Sequence, residues 1–349
     1  MRSHRKRAEF QPDELSLVLA RYDLGAIHSI EPQLKGSRRS PKVIIKSDRG
    51  RFLLKRRVGG CEQVVRVGYS HRVQQYLAER YFPLPFLMPL RGGEETLLVL
   101  NGHIYEMFQF VPGVAYDRSP EATCDAGRTL GFFHVLLRDF TSGWEPPRRG
   151  YHDSPYVRSN LQGVPAAIGN NDSVAGRESE LLGTVSALYE LYEISAERVN
   201  EAGYEQWASQ IVHADWHPGN MLFTPDKVAA VIDYDSLRLL PSATDVANGA
   251  LQFSIIGGPT DPRAWPAELA EDRLRSFLQG YEQEIALQPE QLRVLHWLMI
   301  EALIAEAVMP IAATGSFGRI EGFRFLQMIC RKARWLQHNG ERLVAVLQT

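Results

Sequence analysis

Three polar side chains, His213, Asp215 and Asn220, follow one another at the spacing H-x-D-x-x-x-x-N, which suits phosphoryl transfer. In such a loop the Asp orients the hydroxyl that receives the phosphoryl group, and the Asn supplies an oxygen ligand to a magnesium ion. Three specified residues at fixed spacing match by chance in about a few per cent of chains this long, so the pattern alone is moderately specific. A second group that serves the same chemistry would make the interpretation much stronger.

Asp233 is such a group, because the sequence before it predicts a strand-turn-strand unit. The unit consists of the β-prone runs Met221 to Phe223 and Val228 to Ile232 around the turn Pro225-Asp226-Lys227. It would bring Asp233 to the mouth of the cleft that holds Asp215 and Asn220, where a second hard oxygen ligand bridges magnesium to phosphates. Asp235, which follows closely, is either a second metal ligand or a turn-capping side chain.

The chain up to about residue 110 predicts a small antiparallel sheet with one helix. Asp48-Arg49-Gly50 and Asn101-Gly102 are turn signals, each flanked by two β-prone runs. The predicted elements are a hairpin at Lys42 to Arg57, a helix at Val64 to Arg80, and a strand pair at Thr96 to Leu100 and His103 to Phe110. Val111-Pro112-Gly113 follows and has the composition of a hinge between two lobes.

The remainder of the chain predicts a mainly helical lobe. Apolar residues recur at helical spacing in several segments separated by Pro and Gly. The predicted helices are Ala126 to Arg138, Glu178 to Ala202, Trp265 to Glu284, Pro289 to Ala307 and Gly322 to Leu347. Residues 142 to 175 are rich in Gly, Pro, Ser and Asn, and predict a long irregular connection.

Composition narrows the function classes. The 349 residues are 44% hydrophobic and 23% charged, which is typical of a globular chain long enough for two lobes. A formal charge of −2 gives no reason to expect nucleic acid or an anionic membrane as partner. The expected partner is a small molecule, and the expected assembly is a monomer or a homodimer.

Cysteine usage and the N-terminus favour a cytoplasmic location. The three cysteines, Cys61, Cys124 and Cys330, are far apart and show no zinc-site or disulfide spacing. The basic run Arg2 to Arg7 is not followed by an apolar signal core, and it is interpreted as a solvated tail. No apolar run is expected to reach the ~18 residues of a membrane span.

The chain resembles the aminoglycoside phosphotransferase and choline kinase family, and within it the homoserine-kinase-like and spore-coat-kinase-like members. The family's loop often has the sequence H-G-D-x-H-P-G-N, from which this chain departs only by Ala214. The other matching segments are Ile232-Asp233-Tyr234-Asp235, Thr244-Asp245-Val246-Ala247 and Gly127 to His134. The resemblance covers about residues 25 to 335. It implies an α+β, two-lobed, protein-kinase-like fold with an ATP-binding N-lobe at 25–112 and a helical C-lobe at 113–349, preceded by a basic segment and lead-in helix at 1–24.

Site roles follow from the resemblance residue by residue. It implies that Asp215 is the catalytic Asp, that Asn220 and Asp233 are magnesium ligands, and that ATP binds between the lobes. Lys55 is implied as the ATP lysine, while His213 and Asp245 support the catalytic loop. The implied adenine contact is the backbone at the hinge, which comprises Met107, Phe108, Gln109 and Phe110.

Two departures from the family pattern concern the N-lobe. No G-x-G-x-x-G stands before Lys55, so backbone amides with Ser37 or Ser40 are expected to cover the phosphates instead. No helix Glu occupies the position of the lysine's usual partner, where the sequence offers His71, with Glu62 and Glu79 as less well placed acids.

The helix Gln291 to Ala307 is so apolar that most of its surface must face protein, yet it contains Glu301 and Glu306. Five residues place the two side chains roughly 140° apart, so at most one is expected to face the cleft. Either an arginine (Arg319, Arg324 or Arg331) neutralises the buried carboxylate, or a cationic amine of the substrate does. Glu301 is the one favoured as the substrate contact.

Three rival functions remain open on the sequence alone. A protein kinase fits poorly, because no A-P-E segment follows Asp233 and a long insertion separates His134 from His213. A catalytically silent ATP-binding protein is compatible with the degenerate phosphate loop. Transfer of AMP in place of phosphate has no supporting feature in the sequence.

Overall fold

The computed structural model describes residues 7–34, 36–169, 174–258 and 261–345. Most of the basic run predicted as a solvated tail, Arg2 to Lys6, lies outside the described residues, and so does the end of the last predicted helix. Within the described ranges the chain forms a five-stranded sheet, three two-stranded sheets and ten α-helices. The predicted α+β fold class is confirmed.

The strands are β1 (Ile27–Pro32), β2 (Lys42–Ser47), β3 (Gly50–Arg56), β4 (Leu97–Leu100), β5 (His103–Gln109), β6 (Ser209–Val212), β7 (Met221–Phe223), β8 (Val228–Val231), β9 (Arg238–Pro241), β10 (Ser316–Phe317) and β11 (Ile320–Glu321). The helices are α1 (Pro12–Leu19), α2 (Val64–Ala78), α3 (Pro120–Leu137), α4 (Pro155–Ile168), α5 (Glu178–Glu201), α6 (Ser242–Ser254), α7 (Glu271–Glu282), α8 (Pro289–Arg293), α9 (Leu295–Thr314) and α10 (Gly322–Ala345).

The five-stranded sheet is antiparallel and has the order β1-β2-β3-β5-β4. Both predicted hairpins are present in it. Asn101 and Gly102 have φ values of 50° and 76°, so the second hairpin has the turn with two left-handed residues that matches the twist of paired strands. The edge strand β1 was not predicted, because its sequence IHSIEP has no clean alternation and five of its six residues are exposed.

Two hydrophobic cores underlie the sheet and the helices. The smaller core joins the sheet to the lead-in helix through Val18, Tyr22 and Leu24. The larger core holds the helices, and α2 contributes Tyr69 and Leu77 to it. Helix α2 therefore packs into the core of the helices, although in the sequence it lies between strands β3 and β4 of the sheet. The division of the chain at residues 24 and 112 stays a proposal.

The prediction of an irregular connection at 142–175 is wrong, since α4 lies within it. Val157, Leu161, Val164 and Ile168 are buried and form one helical stripe. Pro155 occupies the first turn, where its missing N–H costs nothing, so the Pro that suggested a loop in fact starts a helix.

Other differences from prediction lie around the catalytic segment. Helix α6 and the pair of β6 with β9 were not predicted, and the helix expected from Trp265 begins only at Glu271. The helix expected from Pro289 breaks at Val294 and then continues to Thr314, where Gly315 ends it in the left-handed conformation at φ 76°.

Helix α9 has the length and composition to cross a membrane, with 20 residues and a mean hydropathy of 1.5. The expectation that no segment reaches this length is therefore wrong for α9. However, 61% of the apolar window is buried inside the protein, which is typical of a core helix. Its apolar residues pack in the larger core.

Candidate active site

The catalytic loop connects β6 to β7 and presents Asp215 to solvent. The Asp215 side chain is 40% exposed, and its Oδ1 lies 3.6 Å from Nε2 of His217. Asn220 donates from Nδ2 to Oδ2 of Asp215 at 2.8 Å and to its carbonyl at 3.1 Å. The amide nitrogen of Asn220 therefore faces Asp215, which leaves its Oδ1 as the group available to a cation.

The first turn of α6 holds this loop from beneath through Asp245, which is almost fully buried. Its Oδ2 accepts from the His213 backbone N–H at 2.6 Å, and its Oδ1 accepts from the Ala214 N–H at 2.7 Å. His134 on α3 lies 3.3 Å from Oδ2 and completes the contact. Charge-assisted bonds to backbone amides are strong, so Asp245 positions the loop main chain.

His213 is fully buried and packs its ring against aromatic side chains. Neither ring nitrogen has a hydrogen-bond partner in the described part of the chain. Burial lowers the pKa of His213, and the carboxylates of Asp245 and Asp215 only partly offset that effect. The side chain is therefore neutral at pH 7 and supports the loop by packing.

Ala214 is the one residue that departs from the family's loop sequence, and its φ is 60°. A left-handed conformation costs an L-residue about 1 to 2 kcal/mol, whereas glycine adopts it freely. Glycine in turn loses about 0.4 to 1 kcal/mol through the larger entropy of the unfolded chain. The two effects oppose each other, and the strain is the larger.

We expect Ala214→Gly to raise the free energy of unfolding by up to about 1 kcal/mol. Ala214→Val should lower it, because a β-branched residue is a clear outlier at positive φ. Urea unfolding of the two variants measures both effects. A Val variant as stable as the original protein would show that the loop is not strained at this position.

The predicted strand-turn-strand unit is present as β7 and β8. The Ile232 N–H donates to the Asn220 carbonyl at 2.9 Å, so the end of β8 lies directly beside Asn220. Asp233 comes next, is exposed, and has a φ of 68°. A left-handed residue at the end of a strand changes the direction of the chain, and such residues are frequent at functional sites.

The donor set of Asn220 and Asp233 fits magnesium. Mg²⁺ prefers oxygen ligands and is commonly bound through one or two protein groups together with substrate phosphates and water. An amide Oδ1 and an exposed carboxylate supply this chemistry.

Lys55 belongs to a buried group of charges between the sheet and the segment after β8. Its Nζ lies 3.8 Å from Glu106 Oε2 and 3.7 Å from Asp235 Oδ2. Arg57 joins the same two carboxylates, at 2.7 Å to Glu106 and 2.6 Å to Asp235. We call Lys55, Arg57, Glu106 and Asp235 the charge cluster.

Glu106 is the centre of the charge cluster and is completely buried. Burial alone would raise the pKa of its carboxyl, but the hydrogen bond from His71 and the charges of Lys55 and Arg57 outweigh it and hold the pKa well below its ordinary value. His71 Nε2 lies 2.8 Å from Glu106 Oε1. His71 therefore acts on Lys55 only through Glu106.

Sequence analysis missed Glu106 and Arg57 as site residues. Neither Glu62 nor Glu79 forms an ion pair with Lys55 in the described residues. The partner comes from the neighbouring strand, because Lys55 lies directly opposite Glu106 in the β3-β5 pair. The Lys55–Glu106 pair could have been predicted only from the register of β3 with β5. That register results from a long-range strand pairing, which local sequence patterns do not determine.

Asp235 was left open as a metal ligand or a turn-capping side chain. In this structure its carboxylate pairs with Lys55 and Arg57, and those charges lower its pKa against the effect of burial. Asp235 thereby ties the segment that follows β8 to the sheet, and it leaves Asp233 as the carboxylate next to Asn220.

The segment between β1 and β2 is in the place of the phosphate-covering loop. Ser40 is buried and donates from Oγ to the Arg56 carbonyl at 2.6 Å, so its hydroxyl holds the loop to β3. Ser37 is exposed and its Oγ accepts from the Arg39 N–H at 3.2 Å. Arg7 donates to the Leu34 carbonyl at 2.7 Å. The expected phosphate contacts of Ser37 and Ser40 stay predictions.

Most main-chain groups of the segment expected to contact adenine form hydrogen bonds within the sheet or with the segment 86–88. The Met107 carbonyl and the Gln109 N–H each form a 2.8 Å hydrogen bond with the segment 86–88. Phe108 is paired with β3 on the other side, and the Phe110 N–H donates to a β3 carbonyl at 2.9 Å. The adenine contact of this segment stays a prediction.

The choice of Glu301 as the substrate contact is not supported by its surroundings. Glu301 is fully buried and accepts from His152 Nδ1 at 2.9 Å and from the Asp153 N–H at 2.9 Å. Internal pairing was the alternative, but the partners are His152 and a backbone amide, not an arginine. Burial raises the pKa of Glu301 against those hydrogen bonds.

Glu306 is the second carboxylate of α9, and its surroundings differ from those of Glu301. Its side chain is accessible to solvent, yet it is surrounded closely enough by protein that burial, together with the charge of Asp215, raises its pKa to about 7. Gln252 on α6 donates a hydrogen bond to its Oε2. Glu306 is therefore accessible to solvent and near enough to Asp215 for the charge of Asp215 to act on it.

Comparisons with known proteins show the family and the fold of the chain. The chain matches the model of the phosphotransferase enzyme family over residues 31–291. A homoserine kinase of Xanthobacter autotrophicus is 25% identical over 237 residues, which cover 64% of this chain and 64% of that protein. The chain therefore aligns with less than two thirds of the length of this curated relative.

Two solved structures share the fold. An aminoglycoside phosphotransferase from Alicyclobacillus acidocaldarius has a TM-score of 0.66 at 16% identity, with 99% of this chain and 98% of that chain covered. A microcompartment-associated aminopropanol kinase has a TM-score of 0.69 at 16% identity, with 95% and 100% covered. Identity this low shows the fold alone.

Proposed function

Since the chain belongs to the phosphotransferase enzyme family, we propose that it transfers the γ-phosphate of ATP, with magnesium, to a hydroxyl group of a small molecule. The observation that carries the proposal is the convergence of Asp215, Asn220 and Asp233 at one edge of the cleft. Lys55 pairs with Asp235, two residues after Asp233, so the charge cluster adjoins this group. An acceptor-orienting carboxylate, metal-binding oxygens and a phosphate-binding lysine are the parts that phosphoryl transfer requires.

The proposed roles follow from the contacts of each group. Asp215 accepts a hydrogen bond from the acceptor hydroxyl and takes its proton late in a loose transition state, while Asn220 keeps the carboxylate in place. Asn220 Oδ1 and Asp233 would hold magnesium, which would neutralise charge on the phosphates. Lys55 would bind the α- and β-phosphates. Transfer is direct and in line, and most of the rate comes from positioning.

The acceptor that we propose carries an ammonium group near its reactive hydroxyl. Glu306 is accessible, bonds Gln252 and feels the charge of Asp215, which supports a carboxylate at the acceptor side of the site. A cation placed there would be stabilised by Glu306 in a partly desolvated site, where ion pairs are stronger than in water.

The pKa of Glu306 gives this proposal a pH dependence. Because the carboxyl is largely protonated below pH 7, the acceptor KM should fall as the pH rises from about 6 to about 8, while an aliphatic ammonium stays charged. Glu306→Gln should raise the acceptor KM, remove the slope, and leave the KM for ATP unchanged. Steady-state kinetics at several pH values measure all three effects.

A matched control is Glu290→Gln, since Glu290 is exposed on α8. It should behave like the original protein in the same assays. An acceptor KM that does not depend on pH in the original protein, or that Glu306→Gln leaves unchanged, would contradict the assignment of the ammonium site.

A screen of the purified protein tests the function as a whole. ATP and magnesium are supplied with amino alcohols, sugars, aminoglycosides and nucleosides, and ADP release above the acceptor-free rate is measured. Turnover with amine-bearing alcohols only would support both the reaction and the acceptor class. ATP binding without turnover on any alcohol would instead favour a catalytically silent protein.

We further propose a cytoplasmic location and a monomer or homodimer as the assembly.

A further inference from the structure

A second lysine lies beside the ATP lysine, and neither the family resemblance nor the sequence analysis assigned it a role. Lys42 on β2 is directly opposite Lys55 on β3. Directly opposed residues of an antiparallel pair have their side chains on the same face of the sheet. Lys42 therefore shares the face from which Lys55 reaches Asp235 at 3.7 Å.

The two lysines differ in their partners. Lys55 has Glu106 and Asp235 within 4.0 Å, whereas Lys42 has no carboxylate within that distance among the described residues. Lys46, on the same face of β2, shows the ordinary behaviour of a surface lysine, with a 2.8 Å ion pair to Glu31. Lys42 is thus a half-buried cation with no carboxylate in direct contact, and burial of a charge is costly unless a ligand pairs with it.

The position of Lys42 shows which ligand fits. Its Nζ lies close beneath the loop that precedes β2, since a Cβ added to Gly36 would stand 2.9 Å from it. Burial and the charges of Lys55 and Arg7 lower the pKa of Lys42, while Asp233 and Asp235 raise it. The ammonium group thus lies against Gly36 of the loop between β1 and β2, and the negative charges of Asp233 and Asp235 act on it.

We infer that Lys42 is a second phosphate-binding lysine, which contacts the β- and γ-phosphates of ATP and replaces the glycine-rich loop that this chain lacks. The inference rests on the proposed function. A glycine-rich loop binds phosphates through successive backbone amides. Here one loop residue, Gly36, permits close approach, and an ammonium group beneath it supplies the positive charge.

Direct nucleotide binding tests this role without any measurement of turnover. Calorimetric titration of the full chain with ATP, ADP and AMP, each with magnesium, gives the affinities. Lys42→Met should weaken ATP binding tenfold or more and leave AMP binding within twofold, since AMP lacks the β- and γ-phosphates. Lys42→Arg should keep ATP affinity within about threefold, because charge and donors are retained.

Lys46→Met is the matched control, since it removes a lysine from the same strand and the same face. It should leave the binding of all three nucleotides unchanged. Equal ATP affinity of Lys42→Met and the original protein would overturn the inference, and so would an equal loss of ATP and AMP binding. If the original protein itself fails to bind ATP, the proposed function fails, and the inference falls with it.

A measurement on the unaltered protein covers the case in which Lys42→Met does not fold. Lysines are acylated in the presence of ATP or AMP, and the modified positions are identified by mass spectrometry. ATP should protect Lys42 at least fivefold better than AMP does, while Lys46 is modified equally in both. Equal modification of Lys42 with ATP and with AMP would refute the inference.

Discussion

Replacing Asp215 with Asn is expected to lower the rate of phosphoryl transfer by about 10² to 10⁴ while ATP affinity stays nearly unchanged. The substitution keeps the shape of the side chain and an oxygen that can accept from Asn220, which bonds the carboxylate at 2.8 Å. It removes the base that receives the hydroxyl proton. Single-turnover kinetics and a nucleotide titration separate the chemical step from binding.

Asp226→Asn provides the matched control, because Asp226 lies exposed in the turn between β7 and β8. It should retain full activity. A fully active Asp215→Asn enzyme would remove Asp215 from the proposed mechanism, and a loss of ATP binding equal to the loss in rate would show that the substitution disrupts the site as a whole.

Asp233→Ala is expected to abolish the magnesium dependence of ATP binding, because Asp233 directly follows Ile232, whose N–H bonds the Asn220 carbonyl, whereas Asp235 is held by Lys55 and Arg57. Asp235→Asn should leave that dependence in place and lower stability instead. Its carboxylate is 31% exposed and pairs with the buried Arg57, so the loss should stay below the roughly 3 to 5 kcal/mol of a fully buried ion pair.

The measurement is ATP affinity across a magnesium titration, combined with thermal unfolding of the same variants. Equal loss of magnesium dependence in both variants would mean that Asp235 leaves the charge cluster to bind the metal. A magnesium-dependent Asp233→Ala protein would place the metal elsewhere.

The parts of the fold that sequence predicted are those that local interactions decide. The turns at Gly50 and at Asn101-Gly102 need left-handed residues, and the sequence places them between β-prone runs. Helix α4 was missed because its Gly, Ser and Pro content suggests a loop, whereas four buried aliphatic side chains stabilise the helix through the core. Tertiary packing outweighed local propensity there.

The same distinction between local and long-range interactions applies to the residues of the candidate site. The short loop and the adjoining strands fix the relative positions of Asp215, Asn220 and Asp233, and the motif predicted all three. Glu106 reaches Lys55 only because β5 pairs with β3, which no local pattern determines. The separation of Glu301 and Glu306 around α9 predicted that at most one of them faces the cleft. The rotation of α9, which buries Glu301 and exposes Glu306, is set by its packing partners and could not be predicted from the helix alone.

The Asp245 contact has a consequence for how freely the catalytic loop can vary. Its two carboxylate oxygens bind main-chain amides of His213 and Ala214, not their side chains. The hydrogen bonds from the loop to Asp245 therefore depend on the position of the backbone and not on the side chain at position 214. That side chain must only be small enough for the left-handed conformation. In a library of loop variants, several small residues at position 214 should therefore be functional, whereas almost no replacement of Asp245 should be. Two residues in direct contact would then differ sharply in the substitutions that they tolerate.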